Sequence, residues 1–266
     1  MTEEKNSNSH FDSPPGGWGG FSLRGQGAAI IFAAGLGTRF KPWTDHHPKA
    51  LAIVNGKSLL ERNIEYLQQY GIYNVVVNVH HHAQQLKDAI ANNKGWGSQI
   101  VISDETDEVL ETGGGLLKAA PLLKGYDRFV SINADILTDL DLKQLMAAHM
   151  ESGALITLCT ANRSTSRFLL FNNEGKLCGW RNKKGDEVIE KIVLPDAHLQ
   201  ERAYSGMAVF EKAVLDLIPF TGKFSLIDVY LHLTKTYLIK SWDHSGDKWV
   251  DVGRTESVAV AEALFR

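Results

Sequence analysis

Short apolar runs alternate with amphipathic segments along the first half of the chain. The run at 28–34, AAIIFAA, is apolar at every position and ends at a glycine, which predicts a strand buried on both faces. Three more strands are predicted at 75–79, 99–103 and 128–133. Helical spacing, or a glycine-rich start, predicts helices at 59–67, 83–91, 113–120 and 142–151. This alternation predicts an α/β fold, a Rossmann-like layered mixed sheet with helices on both faces.

The second half of the chain, from about residue 154, is richer in strands. Strands are predicted at 154–160, 167–171, 176–180 and 203–210, and helices near 211–218, 225–235 and 255–265. We expect this half, about 154–266, to extend the sheet of the first half, about 27–153, within one domain that covers 27–266. The first 26 residues are rich in Ser, Asn, Gly and Pro, which predicts a flexible tail.

Composition narrows the class of protein. Twenty-eight Lys and Arg stand against 31 Asp and Glu, a net charge of −3, so the overall charge favours neither nucleic acid nor an anionic membrane as a partner. No apolar run approaches the roughly 18 residues of a membrane helix. Cys159 and Cys178 lack CxxC spacing, which predicts two buried thiols in a reducing compartment, and therefore the cytoplasm.

The loop after the first strand carries the strongest chemical signal, AAGLGTRFKP at 33–42, followed by PKAL at 48–51. Its glycines allow the backbone to approach an anion and to point several N–H groups at it, which suits a triphosphate. Arg39 and Lys49 are the natural charge partners. The spacing excludes two familiar phosphate loops. Phe40 stands where a dinucleotide fingerprint needs glycine, and Leu51 stands where a Walker A loop needs one.

Polar residues at the ends of other predicted strands lie at the edge where an α/β sheet binds its ligands. Asp135 follows the strand at 128–133, and Asp251 ends a further predicted strand. The glycines of ETGGG, at 111–115, open a helix whose N-terminus contributes positive potential. The run at 80–82, three histidines, is not expected to bind a metal, because consecutive side chains at a strand end point to different sides.

These motifs resemble those of the sugar-1-phosphate nucleotidyltransferases. Residues 33–39 with Pro42, Thr44, Pro48 and Lys49 are similar to the family's opening signature, AAGxGTR…PxT…PK. The NAD triplet at 133–135 resembles its metal-binding N-G-D, with Ala134 in place of glycine, and WVDVG at 249–253 resembles its W-x-D-x-G. Within the family, ETGGG and the NVHH element at 78–81 are most similar to the uridylyltransferases that act on N-acetylmuramic acid 1-phosphate in cell-wall recycling.

The resemblance implies a GT-A-like enzyme that joins an NTP, here UTP, to a sugar 1-phosphate and releases pyrophosphate. It implies Arg39 and Lys49 as catalytic residues, and Mg²⁺ held by Asp135 and Asp251. The implied nucleotide-binding residues are Ala33, Ala34, Gly35, Gly37, Thr38, Asn78, Gly113, Gly114 and Asn133. The residues implied for the sugar and its phosphate are Ser205, Gly206 and a nearby cation, for which Arg181 is preferred over Lys191.

Several alternatives stay open at this point. A guanylyltransferase acting on mannose 1-phosphate or heptose 1-phosphate is a near relative in the same family. A non-catalytic sensor of nucleotide sugars shares the fold, but it needs neither both carboxylates nor both cations, and all four positions are occupied here. Asn78 is equally explained by a bond to a neighbouring loop, and Arg163 and Arg167 by a surface turn.

Overall fold

The computed structural model describes residues 27–266, and the segment predicted as a tail, residues 1–26, lies outside the described residues. The strands of the described chain are Ala28–Phe32 (β1), Ile53–Val54 (β2), Lys57–Ser58 (β3), Asn74–Val79 (β4), Gln99–Asp104 (β5), Arg128–Asn133 (β6), Ile136–Thr138 (β7), Ile156–Ala161 (β8), Arg167–Phe171 (β9), Leu177–Lys184 (β10), Glu187–Ile192 (β11), Gln200–Glu211 (β12), Ile239–Asp243 (β13) and Trp249–Asp251 (β14). Its α-helices are Leu59–Gln69 (α1), Ala83–Asn92 (α2), Glu111–Leu123 (α3), Leu142–Ser152 (α4), Val214–Leu217 (α5), Leu226–Leu233 (α6) and Glu256–Leu264 (α7).

A ten-stranded mixed sheet forms the centre of this part of the chain. Its strands follow the order β11-β10-β9-β12-β6-β1-β4-β5, and β8 pairs with both β12 and β13. Strands β6, β1, β4 and β5 are parallel, whereas β12 runs antiparallel to β6. In this register Phe32 lies opposite both Asn78 and Asn133. The polar residues that end these strands therefore meet at one edge of the sheet, where α/β folds bind ligands.

Helices pack on both faces of the sheet, because neighbouring residues of β1 point in opposite directions. Ile30 packs in a cluster with α3, α5 and α6, and Ile31 packs in another with α1, α2 and α4. Both isoleucines are fully buried. Burial of each contributes about 1.5–3 kcal/mol to stability, so the two helical layers hold the loop-bearing strand in place. The predicted α/β architecture with helices on both faces is confirmed.

The second half of the chain differs from its predictions in three elements. Strands β11 and β13 are not among the predicted ones. All six residues of β11 are exposed, so its sequence EVIEKI shows no alternation between a buried and a solvent-facing side. The helix predicted near 211–218 is confined to Val214–Leu217, because β12 continues as far as Glu211.

Two further predictions concern thiols and membranes. Cys159 and Cys178 are free and buried, as predicted. Burial raises the pKa of both thiols and keeps them protonated, which is typical of structural cysteines. Within residues 27–266, no helix combines the length and the hydrophobicity needed to cross a membrane.

Candidate active site

A buried side-chain amide holds the start of the loop after β1. Asn78 Oδ1 accepts hydrogen bonds from the backbone N–H groups of Ala33 and Ala34, at 2.6 and 3.2 Å. Asn78 Nδ2 donates to Glu105 Oε1 at 2.8 Å, and both side chains are buried. Asn78 therefore supports the loop after β1, which is the alternative that the sequence left open, and its place in the nucleotide pocket stays a prediction. The backbone N–H groups of Ala33 and Ala34, two residues predicted to bind the nucleotide, already donate to Asn78 Oδ1.

Gly37 makes the sharp turn that follows. Its φ of 60° lies in the left-handed region, and a Cβ atom there would lie 2.8 Å from Thr44 Cγ2. Thr44 Oγ1 donates to the Gly37 carbonyl at 2.9 Å. Gly35, Leu36 and Thr38 are exposed, and the backbone N–H groups of Gly35 and Leu36 have no hydrogen-bond partner among the described residues. The turn thus presents free donors, as an anion-binding loop requires.

Lys49 and Asp135 form an ion pair beside this loop. Lys49 lies in the short turn Lys49–Leu51, and its Nζ contacts Asp135 Oδ2. The two side chains are only 16% and 17% exposed. Asp135 follows β6, and its carbonyl accepts the N–H of Val252 at 2.8 Å. This bond joins the edge of the parallel strands to the segment that carries Asp251.

Asp251 supplies the second carboxylate of the site. Arg39 Nη2 lies 4.0 Å from Asp251 Oδ2, and Asp251 Oδ1 is buried without a partner among the described residues. Burial raises the pKa of Asp251, the nearby Asp135 carboxylate raises it further, and Lys49 and Arg39 oppose the shift. Gly253 permits this approach, because a Cβ atom there would lie 2.5 Å from Asp251 Oδ1 and 2.8 Å from Arg39 Nη2.

Asp135 and Asp251 are the residues of this site that could hold a magnesium ion. Asp135 and Asp251 interact electrostatically, and one buried oxygen of Asp251 has no partner among the described residues. Burial of an unpaired carboxylate oxygen costs free energy, which a hard cation offsets. Mg²⁺ commonly takes one or two protein carboxylates and completes its octahedron with water and phosphate oxygens. Ala134, which replaces the glycine of the motif, fits as well, because its φ is not positive and its N–H donates to the Phe32 carbonyl at 3.0 Å.

The glycines at the start of α3 pack against the second half of the chain. The N–H groups of Gly113 and Gly114 donate to the carbonyl of Phe224, at 3.0 and 3.2 Å. A Cβ atom on Gly113 would collide with Phe224, and one on Gly114 would collide with the carbonyl of Gly222. Both glycines are buried. Close packing explains why both positions are glycine, and contact of their backbone with the nucleotide stays a prediction.

Asn133, at the end of β6, meets the middle of β12. Gly206 has a φ of 76°, and a Cβ atom there would lie 2.9 Å from Asn133 Nδ2. Ser205 is buried, and its Oγ lies 2.6 Å from His244 Nε2. The carbonyl of Ser205 accepts a hydrogen bond from Trp249 Nε1 at 2.9 Å. The strand is therefore fixed from two sides, and the hydroxyl of Ser205, predicted to face the sugar, is engaged inside the protein.

Two cations that were candidates for the sugar phosphate already have acidic partners. Arg181, on β10, contacts both Glu190 and Glu201. Lys191 lies 3.5 Å from Asp228. The charge of Arg181 is balanced by two carboxylates, so the structure does not leave this guanidinium free for a phosphate as the sequence-based prediction requires.

The three consecutive histidines bind backbone carbonyls. His80 Nδ1 lies 2.6 Å from the carbonyl of Glu105. His81 Nε2 and His82 Nε2 lie 3.0 and 3.2 Å from the carbonyl of Thr44. His81 and His82 therefore join the loop that contains Thr44 to the start of α2, and His80 joins the end of β4 to the residue that follows β5.

Comparison with known proteins decides the family. The family description Nucleotidyl transferase matches residues 28–265. The chain belongs to the nucleotidyl transferase family. The resemblance of its motifs to the sugar-1-phosphate nucleotidyltransferases is thereby confirmed.

Relatives within the nucleotidyl transferase family are named for several substrates. The chain is 30% identical to the N-acetylmuramate alpha-1-phosphate uridylyltransferase of Neisseria meningitidis, over 89% of this chain and 97% of the relative. It is 30% identical to the UTP–glucose-1-phosphate uridylyltransferase of Synechocystis, over 85% of this chain and 60% of the relative. It is 26% identical to the mannose-1-phosphate guanylyltransferase catalytic subunit beta of Drosophila melanogaster, over 89% of this chain and 62% of the relative.

Solved structures share the fold. HddC from Yersinia pseudotuberculosis, complexed with GMP-PN, superposes with a TM-score of 0.71 at 22% identity, covering 90% of this chain and 99% of that chain. The inositol-1-phosphate CTP transferase from T. maritima gives a TM-score of 0.69 at 20% identity, covering 89% and 94%. These likenesses confirm the Rossmann-like α/β fold.

Sequence reasoning missed two residues of this nucleotidyl transferase site. Glu105 directly follows β5, and the register of β4 with β5 places it at the same edge as Asn78, which is a signal that strand alignment carries. Arg163 lies 4.0 Å above the centre of the Trp249 ring. The local sequence RSTSR does not distinguish Arg163 from a surface turn, because its partner belongs to β14, much later in the chain.

Proposed function

We propose that the protein joins UTP to N-acetylmuramic acid 1-phosphate and gives the nucleotide sugar and pyrophosphate. One observation carries the reaction class: two cations, Arg39 and Lys49, converge with two carboxylates, Asp135 and Asp251, beside a glycine turn with free backbone donors. The choice of substrates is supported by the N. meningitidis relative of that name, of which the chain covers 97%.

The proposed reaction is a displacement at phosphorus. An oxygen of the sugar phosphate forms a bond to the α-phosphorus of UTP, the bond from the α-phosphorus to the bridging oxygen breaks, and pyrophosphate leaves on the opposite side. The attacking phosphate is already ionised at neutral pH, so the reaction needs no general base. Catalysis then depends on positioning and on neutralisation of negative charge.

Arg39 and Lys49 neutralise that charge in our proposal. The side chain of Arg39 is 57% exposed and only loosely associated with Asp251, so it is free to hold the departing β- and γ-phosphates through its planar guanidinium. Lys49 is held in place by Asp135 and faces the α-phosphate. The turn formed by Gly35, Gly37 and Thr38 receives the phosphate oxygens with its backbone N–H groups.

The remaining residues of the edge position the metal and the substrates. Asp135 and Asp251 would hold Mg²⁺, which when bound neutralises charge on the phosphate oxygens. Asn133 and Gly206 lie in contact range of each other, and we assign this junction to the boundary between nucleotide and sugar.

Two rival functions make different predictions. A guanylyltransferase acting on mannose 1-phosphate is supported by the D. melanogaster relative, which is 26% identical over 89% of this chain. A sensor of nucleotide sugars uses the same fold without turnover. The four converging charges argue against the sensor, because recognition alone does not require two cations opposite two carboxylates.

The test is pyrophosphate release with Mg²⁺ from UTP, GTP, CTP and dTTP, each paired with the 1-phosphates of N-acetylmuramic acid, N-acetylglucosamine, mannose and glucose. Release with UTP and the muramic acid substrate is the expected result. Release with GTP and mannose 1-phosphate would replace the proposal by the guanylyltransferase. Nucleotide binding without pyrophosphate release from any pair of substrates would favour the non-catalytic sensor of nucleotide sugars.

A further inference from the structure

Arg163 is a half-buried cation that is held by an aromatic ring and a backbone carbonyl and not by a salt bridge within residues 27–266. It lies between β8 and β9, and its Nη2 donates to the carbonyl of Tyr204 at 2.7 Å. Its guanidinium lies over the Trp249 ring, 4.0 Å from the ring centre. Its Nε is buried without a hydrogen-bond partner, and its Nη1 also has none among the described residues. Within residues 27–266, Arg163 forms no salt bridge to Asp or Glu.

Two observations relate Arg163 to Asp251, one of the two proposed metal ligands. Trp249 and Asp251 are two residues apart on β14, so their side chains point to the same side of that strand. Burial lowers the pKa of Arg163, and the Asp251 carboxylate opposes this shift. The bond to Tyr204 ties the guanidinium to the part of β12 that leads into Ser205 and Gly206.

The surroundings of Arg163 differ from those of other arginines in this half. Arg181 contacts two glutamates, and Arg202 Nη1 lies 3.5 Å from Asp243 Oδ2. Arg163 is held instead by an aromatic ring and a neutral carbonyl, which fix its position without neutralising it. Burial of an uncompensated charge is costly. An anionic ligand that enters the cleft would remove that cost.

We propose that Arg163 binds the phosphate of the sugar 1-phosphate, with Trp249 holding the plane of the guanidinium. This inference rests on the proposed function, because it assigns the second phosphate of that reaction to a residue. The unpartnered Nη1 is the donor available to the phosphate, and Nη2 stays on the Tyr204 carbonyl. Two negatively charged phosphates must approach for the reaction, and a fixed cation on the attacking phosphate lowers their repulsion.

The test compares Arg163→Met and Arg163→Lys with Arg202→Met, a control that removes an arginine already paired with a carboxylate. Loss of a charge-assisted hydrogen bond is expected to raise the KM for the sugar 1-phosphate about 10- to 100-fold in Arg163→Met, with the KM for UTP unchanged. Arg163→Lys is expected to recover part of this loss, because a lysine keeps the charge but not the stacked, planar donor. Arg202→Met is expected to leave both KM values unchanged.

Three results would overturn the proposal. The first is a normal KM for the sugar 1-phosphate in Arg163→Met. The second is an equal rise of both KM values with a lower Tm, which indicates a packing role. The third is a selective rise of the sugar KM in Arg181→Met but not in Arg163→Met.

Direct binding separates a failure of this proposal from a failure of the proposed function. If the wild-type protein releases no pyrophosphate from any pair, calorimetry with N-acetylmuramic acid 1-phosphate and with glucose 1-phosphate still decides the role of Arg163. Binding to the wild-type protein that is lost in Arg163→Met supports the proposal without catalysis. Equal binding by both proteins, or binding by neither, contradicts it.

Discussion

The two sides of the cleft differ in how far their polar groups already have partners. On the loop side, residues 27–153, Lys49 pairs with Asp135, and Asn78 binds both the loop and Glu105. On the Asp251 side, residues 154–266, Asp251 Oδ1 and Arg163 Nε are buried without partners among the described residues. On the loop side one buried oxygen, Glu105 Oε2, also has no partner among the described residues. The difference is that the charged side chain of Lys49 is already paired on the loop side, whereas on the Asp251 side a carboxylate and a guanidinium each keep an unpartnered atom. An unsatisfied buried group costs about 1–3 kcal/mol, and in our proposal a metal ion would offset that cost at Asp251 Oδ1.

Removal of Lys49 should have the largest effect on catalysis. Lys49→Met leaves the phosphates without a fixed cation, and we expect kcat to fall about 100-fold or more, as for other preorganised charge stabilisers. The measurement is steady-state pyrophosphate release. Lys57→Met is the matched control, because Lys57 pairs with Glu65 away from the loop. A near-normal kcat in Lys49→Met would mean that the organised charge of the loop side does not act in the reaction.

Removal of the Asn78 amide, which supports the loop after β1, should have the second-largest effect. Asn78→Ala removes the acceptor for two loop N–H groups and the donor to Glu105, whose pKa burial already raises. We expect a KM for UTP about 10-fold higher and a free energy of unfolding lower by about 1–3 kcal/mol.

The effect of Asn78→Ala is measured by kinetics and by urea denaturation. Asn93→Ala serves as the control, because Asn93 is an exposed amide that bonds to Ala89. An unchanged KM for UTP in Asn78→Ala would show that the loop does not depend on this amide.

The smallest predicted effect is a change in thermal stability when Asp251, on the second side of the cleft, is replaced. The folded-state pKa of Asp251 is raised, chiefly by burial, so the folded chain binds a proton there more tightly than the unfolded chain does. The ionised carboxylate therefore lowers stability at neutral pH, and this penalty disappears as the pH falls through the raised pKa. In EDTA at pH 7 we expect Asp251→Asn to raise Tm by about 1–3 °C, a modest gain because the side chain is 39% exposed.

The pH dependence and the response to magnesium check the same prediction. The difference in Tm between Asp251→Asn and the wild-type protein should shrink as the pH is lowered. Added Mg²⁺ should raise the Tm of the wild-type protein more than that of the variant. A variant that is less stable than the wild-type protein in EDTA would show that Asp251 is a structural residue.

Prediction from the sequence succeeded where local pattern and sheet position agree. The apolar run before Gly35 predicts β1, and the motifs that contain Lys49 and Asp135 lie side by side in the structure, where the two residues form an ion pair that was not predicted. Prediction from the sequence did not identify contacts between segments that are distant along the chain. Gly113 and Gly114 are explained by Phe224, a residue from the other half of the chain.

In the second half of the chain, more features depend on contacts between distant segments and were therefore not predicted from the sequence. Strand β11 carries no burial pattern, because both of its sides face solvent. The partners of Arg181 and Arg163 distinguish the two arginines, two glutamates for one and a tryptophan ring for the other. Such partners depend on strand pairing and register, which single-residue reasoning does not provide.

The identity of the product tests the central claim most directly. The protein is incubated with Mg²⁺, N-acetylmuramic acid 1-phosphate and UTP labelled with ³²P at the α-phosphate. The products are separated, and their masses are determined by mass spectrometry. We predict that the label enters a UDP-sugar and that one unlabelled pyrophosphate is released for each sugar consumed. Label in UMP, or label that remains in UTP with every sugar 1-phosphate offered, would contradict nucleotidyl transfer at this site.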